Sequence, residues 1–172
     1  FQHCLKVAHL NIQSLRAHFD NFKIAIGSTF HVIALSETWL TAGTDSQQVE
    51  IDGYTILRKD RVHSKKKRGG GLLFYFRKPL QWKEIDGLPA NQDFEQIWVE
   101  VRSNKEKIAI CLAYRPPDSP SSSFKMFEDS LDIIRSTYEN VIIIGDLNVN
   151  WLKNQCTQYK LLSRILLNHE LE

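Results

Sequence analysis

The chain has 172 residues, 42% hydrophobic and 24% charged, which is enough to bury one substantial core without disulfides. Its formal net charge of +2 is too small to mark a nucleic-acid binder, so any electrostatic argument rests on where charge is placed. No apolar stretch approaches the roughly 20 residues of a membrane span and no signal-peptide pattern opens the chain. An intracellular domain with no membrane partner is therefore expected, and the start at Phe1 is read as that of an excised segment.

In chain order, Leu5 to Leu10 predicts a first strand, Leu15 to Ile26 an amphipathic helix behind a Ser14 cap, and His31 to Leu35 a second strand. A long polar loop carrying Thr41 to Gln48 follows and reaches Tyr54 to Leu57. Arg61 to Gly71 then reads as a basic, glycine-ended loop feeding a strand at Leu72 to Phe76. Two more strands, Gln96 to Val101 and Lys107 to Tyr114, are joined by the turn-like Ser103-Asn104 pair and should run antiparallel. Ser121 to Ser136 predicts a helix with Phe124, Phe127, Leu131 and Ile134 on one face, and Gln158 to Leu167 another. No linker divides the chain and no short repeat appears, so residues 1–172 are read as one domain. Strands alternating with helices in this way imply packed sheets covered by helices, with polar residues gathered at one rim.

Cys4, Cys111 and Cys156 are odd in number, widely spaced and set in mostly apolar contexts, which fits reduced, buried thiols better than a disulfide framework or a zinc site. The six histidines show no metal-ligand spacing. The four tryptophans are expected in or near the core rather than stacked on bases.

The richest segment is Val141 to Asn150, VIIIGDLNVN. Its apolar run suits a strand buried on both faces, Gly145 lets the backbone turn as the strand emerges, and Asp146 and Asn148 then follow two positions apart. A carboxylate there can accept a proton or hold a metal, and an amide can donate to a phosphate. An Asx turn, in which both side chains bond nearby backbone, is the structural alternative. Three further polar clusters stand at strand ends: Leu10-Asn11-Ile12, Leu35-Ser36-Glu37-Thr38-Trp39 and Ala113-Tyr114-Arg115-Pro116-Pro117.

HLNIQSL, SETWL, YRPPDSP and IIIGDLNVNW, in that order, resemble the endonuclease/exonuclease/phosphatase superfamily, and most closely the apurinic-type endonuclease domain of non-LTR (LINE-type) retrotransposon polyproteins. The resemblance implies an α/β, four-layer sandwich of two mixed β-sheets flanked by helices, with the active site at one end. It also implies a Mg²⁺-dependent DNA endonuclease, Mn²⁺ being the alternative ion. Such an enzyme nicks one strand by water attack on a phosphodiester and leaves a 3′-hydroxyl for a reverse transcriptase domain of the same polyprotein, with cleavage in the nucleus.

By the same resemblance Glu37 is the principal metal ligand and Asn11 its auxiliary, Asp146 orients or deprotonates the attacking water, Asn148 donates to phosphate oxygens and Tyr114 touches the scissile phosphate. Mg²⁺ usually takes only one or two protein carboxylates, which suits a single Glu with an amide beside it. The structural alternatives are a glutamate capping the loop before Trp39, an amide bonding loop backbone, and an ordinary aromatic at a strand end. Arg115 could pair with phosphate bidentately, although Pro116 and Pro117 also rigidify that loop. The run Lys65-Lys66-Lys67-Arg68 is the one concentrated positive patch; it would track a DNA backbone, or else form a solvated loop.

The chain departs from the family pattern at its end. Family members continue with a second acidic motif and a closing Ser-Asp-His motif, neither of which appears among these 172 residues, so the domain is read as C-terminally incomplete and lacking its last strands. His169 precedes Glu170 and does not fit that motif. Two alternative functions therefore accompany the endonuclease: a catalytically inactive nucleic-acid-binding or interaction remnant, and a phosphatase or exonuclease of the same superfamily.

Overall fold

The computed structural model describes residues 4–61, 69–89, 91, 93–103 and 106–171. The elements are β1 (Val7–Asn11), α1 (Leu15–Ile26), β2 (Val32–Ser36), β3 (Tyr54–Lys59), β4 (Leu72–Arg77), β5 (Gln81–Glu84), β6 (Glu95–Ser103), β7 (Glu106–Tyr114), α2 (Phe124–Arg135), β8 (Asn140–Asp146) and α3 (Thr157–Asn168). Short 3₁₀ turns occupy Ser46–Val49 and Ser121–Ser123. Two four-stranded sheets result, ordered β1-β2-β4-β3 and β5-β6-β7-β8. Each is mixed: β1–β2 and β7–β8 pair parallel, and the remaining pairs are antiparallel.

Side-chain alternation sorts the strand residues into layers. Val32 and Ala34 of β2, Phe74 and Phe76 of β4, Val99 of β6 and Leu112 of β7 meet between the sheets. Their sequence neighbours face outward: Ile33, Leu35 and Tyr75 pack against Leu15 and Phe22 at α1. Trp98, Ala109 and Cys111 pack under Phe127 and Leu131 of α2 and Leu162 of α3. The architecture is thus helix, sheet, sheet, helix, as the resemblance implies. Because both faces of β2, β4 and β7 are apolar and each buried side chain contributes about 1.5–3 kcal/mol, both sheet faces contribute to the stability.

Several local expectations need correction. The α1 boundaries are as predicted, but Ser14 makes no side-chain cap; its amide and that of Leu15 instead donate to the carbonyls of Glu37 and Thr38 at 2.9 Å, so a neighbouring loop satisfies the helix start. The run at Val141–Ile144 is only half-buried, because β8 pairs with β7 alone and its other edge is unpaired among the described residues. Of the cysteines only Cys111 is buried; Cys4 is exposed and Cys156 intermediate, and all three are free. Strand β5 was not expected from sequence. The predicted hairpin is the antiparallel β6–β7 pair, whose residues 104–105 lie outside the described residues. Among the described residues no helix is long and apolar enough to cross a membrane.

Candidate active site

The parallel pairs β1–β2 and β7–β8 bring the four polar clusters to one rim. In register, Asn11 stands beside Ser36, so the next residue on that neighbour is Glu37; Tyr114 stands beside Asp146. Strands β1 and β8 lie at corresponding edges of the two sheets and touch, which closes the distance between the halves of the site.

The amide of Asn11 makes the junction. Its Nδ2 donates to Oε1 of Glu37 at 2.7 Å and to Oδ2 of Asp146 at 2.8 Å. The second oxygen of each carboxylate is also oriented: Glu37 Oε2 accepts from Trp39 Nε1 at 3.3 Å, and Asp146 Oδ1 accepts from the Asn148 amide at 3.0 Å. Asn148 Nδ2 donates to the Arg115 carbonyl at 2.8 Å. The predicted Asx turn and the predicted site therefore coexist, because the bonds that shape the turn also aim the carboxylate of Asp146.

Backbone conformation at the rim is unusual. Gln13, Ser14, Glu37, Trp39 and Asn148 all have φ between +45° and +90°, each costing on the order of 1 kcal/mol or more. The loops are stitched together against that cost. The Glu37 carbonyl accepts from Ser14 at 2.9 Å, while Thr38 and Trp39 donate to Gly71 and Gly70 at 3.1 and 3.0 Å. Glu37 is thereby fixed from both sides.

Tyr114 ends the row of side chains between the sheets and is 4% exposed. Burial raises its phenol well above the ordinary value, and the nearby Glu37 carboxylate adds to the effect. His9, two residues before Asn11, meets Ser36 Oγ at 3.0 Å; burial holds its imidazole below the ordinary value, against the pull of Asp146. Behind Tyr114 stands a pair that the sequence reading did not single out, Arg61 and Glu95, with 9% and 10% side-chain exposure. Burial lifts the Glu95 carboxyl above its ordinary value despite Arg61 and the Gly71 amide.

A hard cation suits the residues present. Two carboxylates converge, and the buried Oδ1 of Asn11 has no hydrogen-bond partner. An unpartnered oxygen beside two carboxylates is the donor chemistry Mg²⁺ takes, with water completing its shell. Among the described residues no group of three or more His, Cys, Asp or Glu forms a self-contained metal cage.

Of the predicted site residues, Asn11, Glu37, Tyr114, Asp146 and Asn148 come together. Arg115 requires correction as a DNA contact. Its side chain is wholly buried; Nε donates to Ser123 Oγ at 3.1 Å, Nη2 to the Ser119 carbonyl, and its guanidinium lies 4.9 Å from the Phe124 ring centroid. It braces the YRPP loop from within. Lys65, Lys66, Lys67 and Arg68 lie outside the described residues. A cleft of about 1120 Å³ along the open edge of β8 and α3 reaches Asp146 and Asn148 at one end, but its walls are chiefly Val141–Ile144, Leu162 and Leu166.

The fold is that of a known class, and the chain belongs to the endonuclease/exonuclease/phosphatase family, whose family model matches residues 8–162. Among solved structures, it is similar to the endonuclease domain of TRAS1, a telomere-specific non-LTR retrotransposon, at 15% identity and a TM-score of 0.70, with 96% of this chain and 72% of that one covered. It is also similar to an AP endonuclease from Archaeoglobus fulgidus, at 14% identity and a TM-score of 0.67, covering 96% and 71%. The 3′-5′ exonuclease NExo from Neisseria meningitidis, at 16% identity and a TM-score of 0.67, is covered to the same extent, 96% and 71%. At these identities the likeness is one of fold. No curated protein matches the chain by sequence.

Proposed function

We propose that the chain is the core of a divalent-metal-dependent DNA endonuclease domain that nicks one strand and leaves a 3′-hydroxyl. The observation that carries this reading is the Asn11 amide, which ties Glu37 and Asp146 into one oxygen-lined site at the meeting of the two sheets. The likeness to a retrotransposon endonuclease domain and to an AP endonuclease supports DNA as substrate.

Glu37 and Asn11 would hold the cation, Mg²⁺ or Mn²⁺, which when bound supplies neutralisation of the charge developing on the phosphate. Asp146, oriented through both oxygens, takes a proton from a water as its oxygen attacks phosphorus. The bond from phosphorus to the 3′ oxygen breaks, the phosphate stays on the 5′ side of the other fragment, and the 3′ oxygen leaves as a hydroxyl with a proton from solvent. Tyr114 donates its O–H to a phosphate oxygen without adding charge, and Asn148 has a second amide hydrogen for another. The Lys65–Arg68 run supplies affinity for the DNA backbone. The freed 3′-hydroxyl would prime a reverse transcriptase domain of the same polyprotein, in the nucleus.

Supercoiled plasmid and Mg²⁺ test this on the 172-residue chain and on any longer polypeptide that contains it. Conversion to open circles, abolished by Asp146→Ala in a protein that still folds, is the expected result. Equal nicking by that variant rejects the assignment. A second reading, a nucleic-acid-binding module of the same fold that does not cleave, is told apart by the same assay. Retention of duplex DNA with no nicking would establish it, and hydrolysis of non-nucleic phosphate esters with inert DNA would mark a phosphatase instead.

A further inference from the structure

Arg61 leaves β3 two residues past its end and turns its side chain inward. Its Nε pairs with Glu95 Oε1, and Glu95 Oε2 accepts from the Gly71 amide at 2.7 Å. Glu95 is the register partner of Tyr114 across β6 and β7, so the anchor stands beside the residue it serves. The guanidinium carbon lies 5.6 Å from the Tyr114 ring centroid, within cation–π range. Gly70, at φ +72°, leaves room for this arrangement; a Cβ there would run into Nε and Cζ of Arg61 and Oε1 of Glu95.

Stability is a poor explanation for this cluster. A buried ion pair is often no better than apolar side chains of the same volume, and here Nη2 of Arg61 is buried with no hydrogen-bond partner, which is a further cost. A planar cation on an aromatic face does, however, fix the ring it covers, as a lysine in its place would not. The ring it covers is the one whose phenol stands next to Glu37.

We infer that Arg61 is a positioning residue: clasped by Glu95 and laid against the ring of Tyr114, it holds the phenol beside Glu37, ready for the phosphate that is cleaved. The inference rests on the endonuclease reading for its chemistry, but not for its geometry. Arg61 acts through Tyr114, while the Gly70–Gly71 segment that receives the amides of Trp39 and Thr38 is tied to Glu95 through the Gly71 amide.

The test is a double-mutant cycle with a structural probe. Arg61→Lys, Tyr114→Phe and their combination are compared for plasmid nicking, together with Arg61→Met/Glu95→Gln, which replaces the charged pair by a neutral one of similar size. Arg61→Lys should lower kcat roughly 10- to 100-fold, the scale of a small misplacement at a reacting centre, with KM and Tm nearly unchanged. On the Tyr114→Phe background the same change should cost less than about twofold, because its route through the phenol is already gone. Equal losses on both backgrounds, or full kcat in both Arg61 variants, would overturn the inference. A fluorotyrosine at position 114, read by ¹⁹F NMR, needs no catalysis. A shifted or broadened signal in the Arg61 variants supports the positioning role even if DNA is never nicked, in which case the endonuclease reading alone fails. An unchanged signal in both variants rejects the role whatever the nicking assay shows.

Discussion

Asn11 and Asp146 are 135 positions apart, yet Nδ2 of the first donates to Oδ2 of the second at 2.8 Å, from an edge strand of one sheet to an edge strand of the other. The same Nδ2 reaches Glu37 at 2.7 Å. One amide therefore screens two carboxylates from each other, and the geometry of the site depends on it.

Replacing Asn11 tests that dependence. Asn11→Ala removes two charge-assisted hydrogen bonds, each worth about 1.5–3 kcal/mol, and leaves the carboxylates facing each other. Asn11→Asp places a third carboxylate there, so like-charge repulsion should destabilise the protein in EDTA and Mg²⁺ should restore it. Thermal unfolding with and without millimolar Mg²⁺ measures both effects. A Tm for Asn11→Asp that ignores Mg²⁺, alongside a wild type that also ignores it, would count against a cation at this rim.

Asp146→Asn separates chemistry from architecture. The amide can still accept from the Asn148 backbone N–H, but its NH₂ then faces Nδ2 of Asn11, so one of the two bonds that hold this side chain is lost. A stability loss of about 1–3 kcal/mol is expected, and a kcat loss on the order of 10²- to 10⁴-fold, as for removal of a general base. Plasmid nicking and urea unfolding read the two separately. A variant that nicks within about twofold of wild type would remove Asp146 from the proton transfer.

Sequence periodicity located most of the scaffold, because β4 and β7 are apolar on both faces and α2 carries a clean stripe of Phe124, Phe127, Leu131 and Ile134, all buried. Position in the sheet was less legible. The Val141–Ile144 run looks like an interior strand, but whether a neighbour covers its edge is a tertiary matter that an apolar run does not record. Strand β5 is four residues of mostly polar side chain, held by Trp82, which stacks on Phe76 at 4.2 Å and donates to Thr55; one inward residue gives no period to read. Arg115 and Arg61 show the same limit from opposite sides. Arg115, before two prolines, reads as able to pair with phosphate and is buried, whereas Arg61 reads only as the start of a basic loop and packs against Tyr114. Gly70 and Gly71 were the available signal for the second, since paired glycines mark a close approach of other groups.

The turn after α2 should show a defined pH response. Tyr138 O–H donates to Glu100 Oε2 at 2.9 Å, and Lys83 and Arg102 pair with the same carboxylate, which is 2% exposed. Burial opposes ionisation of Glu100, but the Tyr138 hydroxyl, Arg102 and Lys83 together outweigh it and hold the carboxyl below its ordinary value. A lowered carboxyl contributes stability that is present above the unfolded value, about pH 4.3, and is lost as pH falls through the folded one. Burial and Glu100 push the Tyr138 phenol up to about 12, so its contribution persists below the unfolded value and fades as pH rises through the folded one. Glu100→Gln should cost about 1–3 kcal/mol at pH 7 and flatten the acid limb of the stability profile. Denaturant titrations across roughly pH 3–8, the useful window for a carboxylate, would show parallel wild-type and variant curves if Glu100 carried no such linkage.

Gly145 is the residue that lets β8 deliver Asp146. Its φ is +146°, and a Cβ built there would run into the carbonyl of Ala113 on the neighbouring strand. That strand cannot yield easily, because Ala113 sits between the register pairs Leu112–Ile144 and Tyr114–Asp146, and the Arg115 amide continues the ladder by donating to the Asp146 carbonyl at 3.0 Å. Gly145→Ala should therefore combine an unfavourable backbone conformation, about 1–2 kcal/mol, with overpacking of about 1–3 kcal/mol. The displaced strand end would carry Asp146 away from Asn11, so nicking should fall more steeply than the loss of folded protein explains. Urea unfolding combined with nicking at a temperature where the variant remains folded distinguishes the two. If the variant matches wild type in both, the close approach of Gly145 to Ala113 contributes nothing to the site.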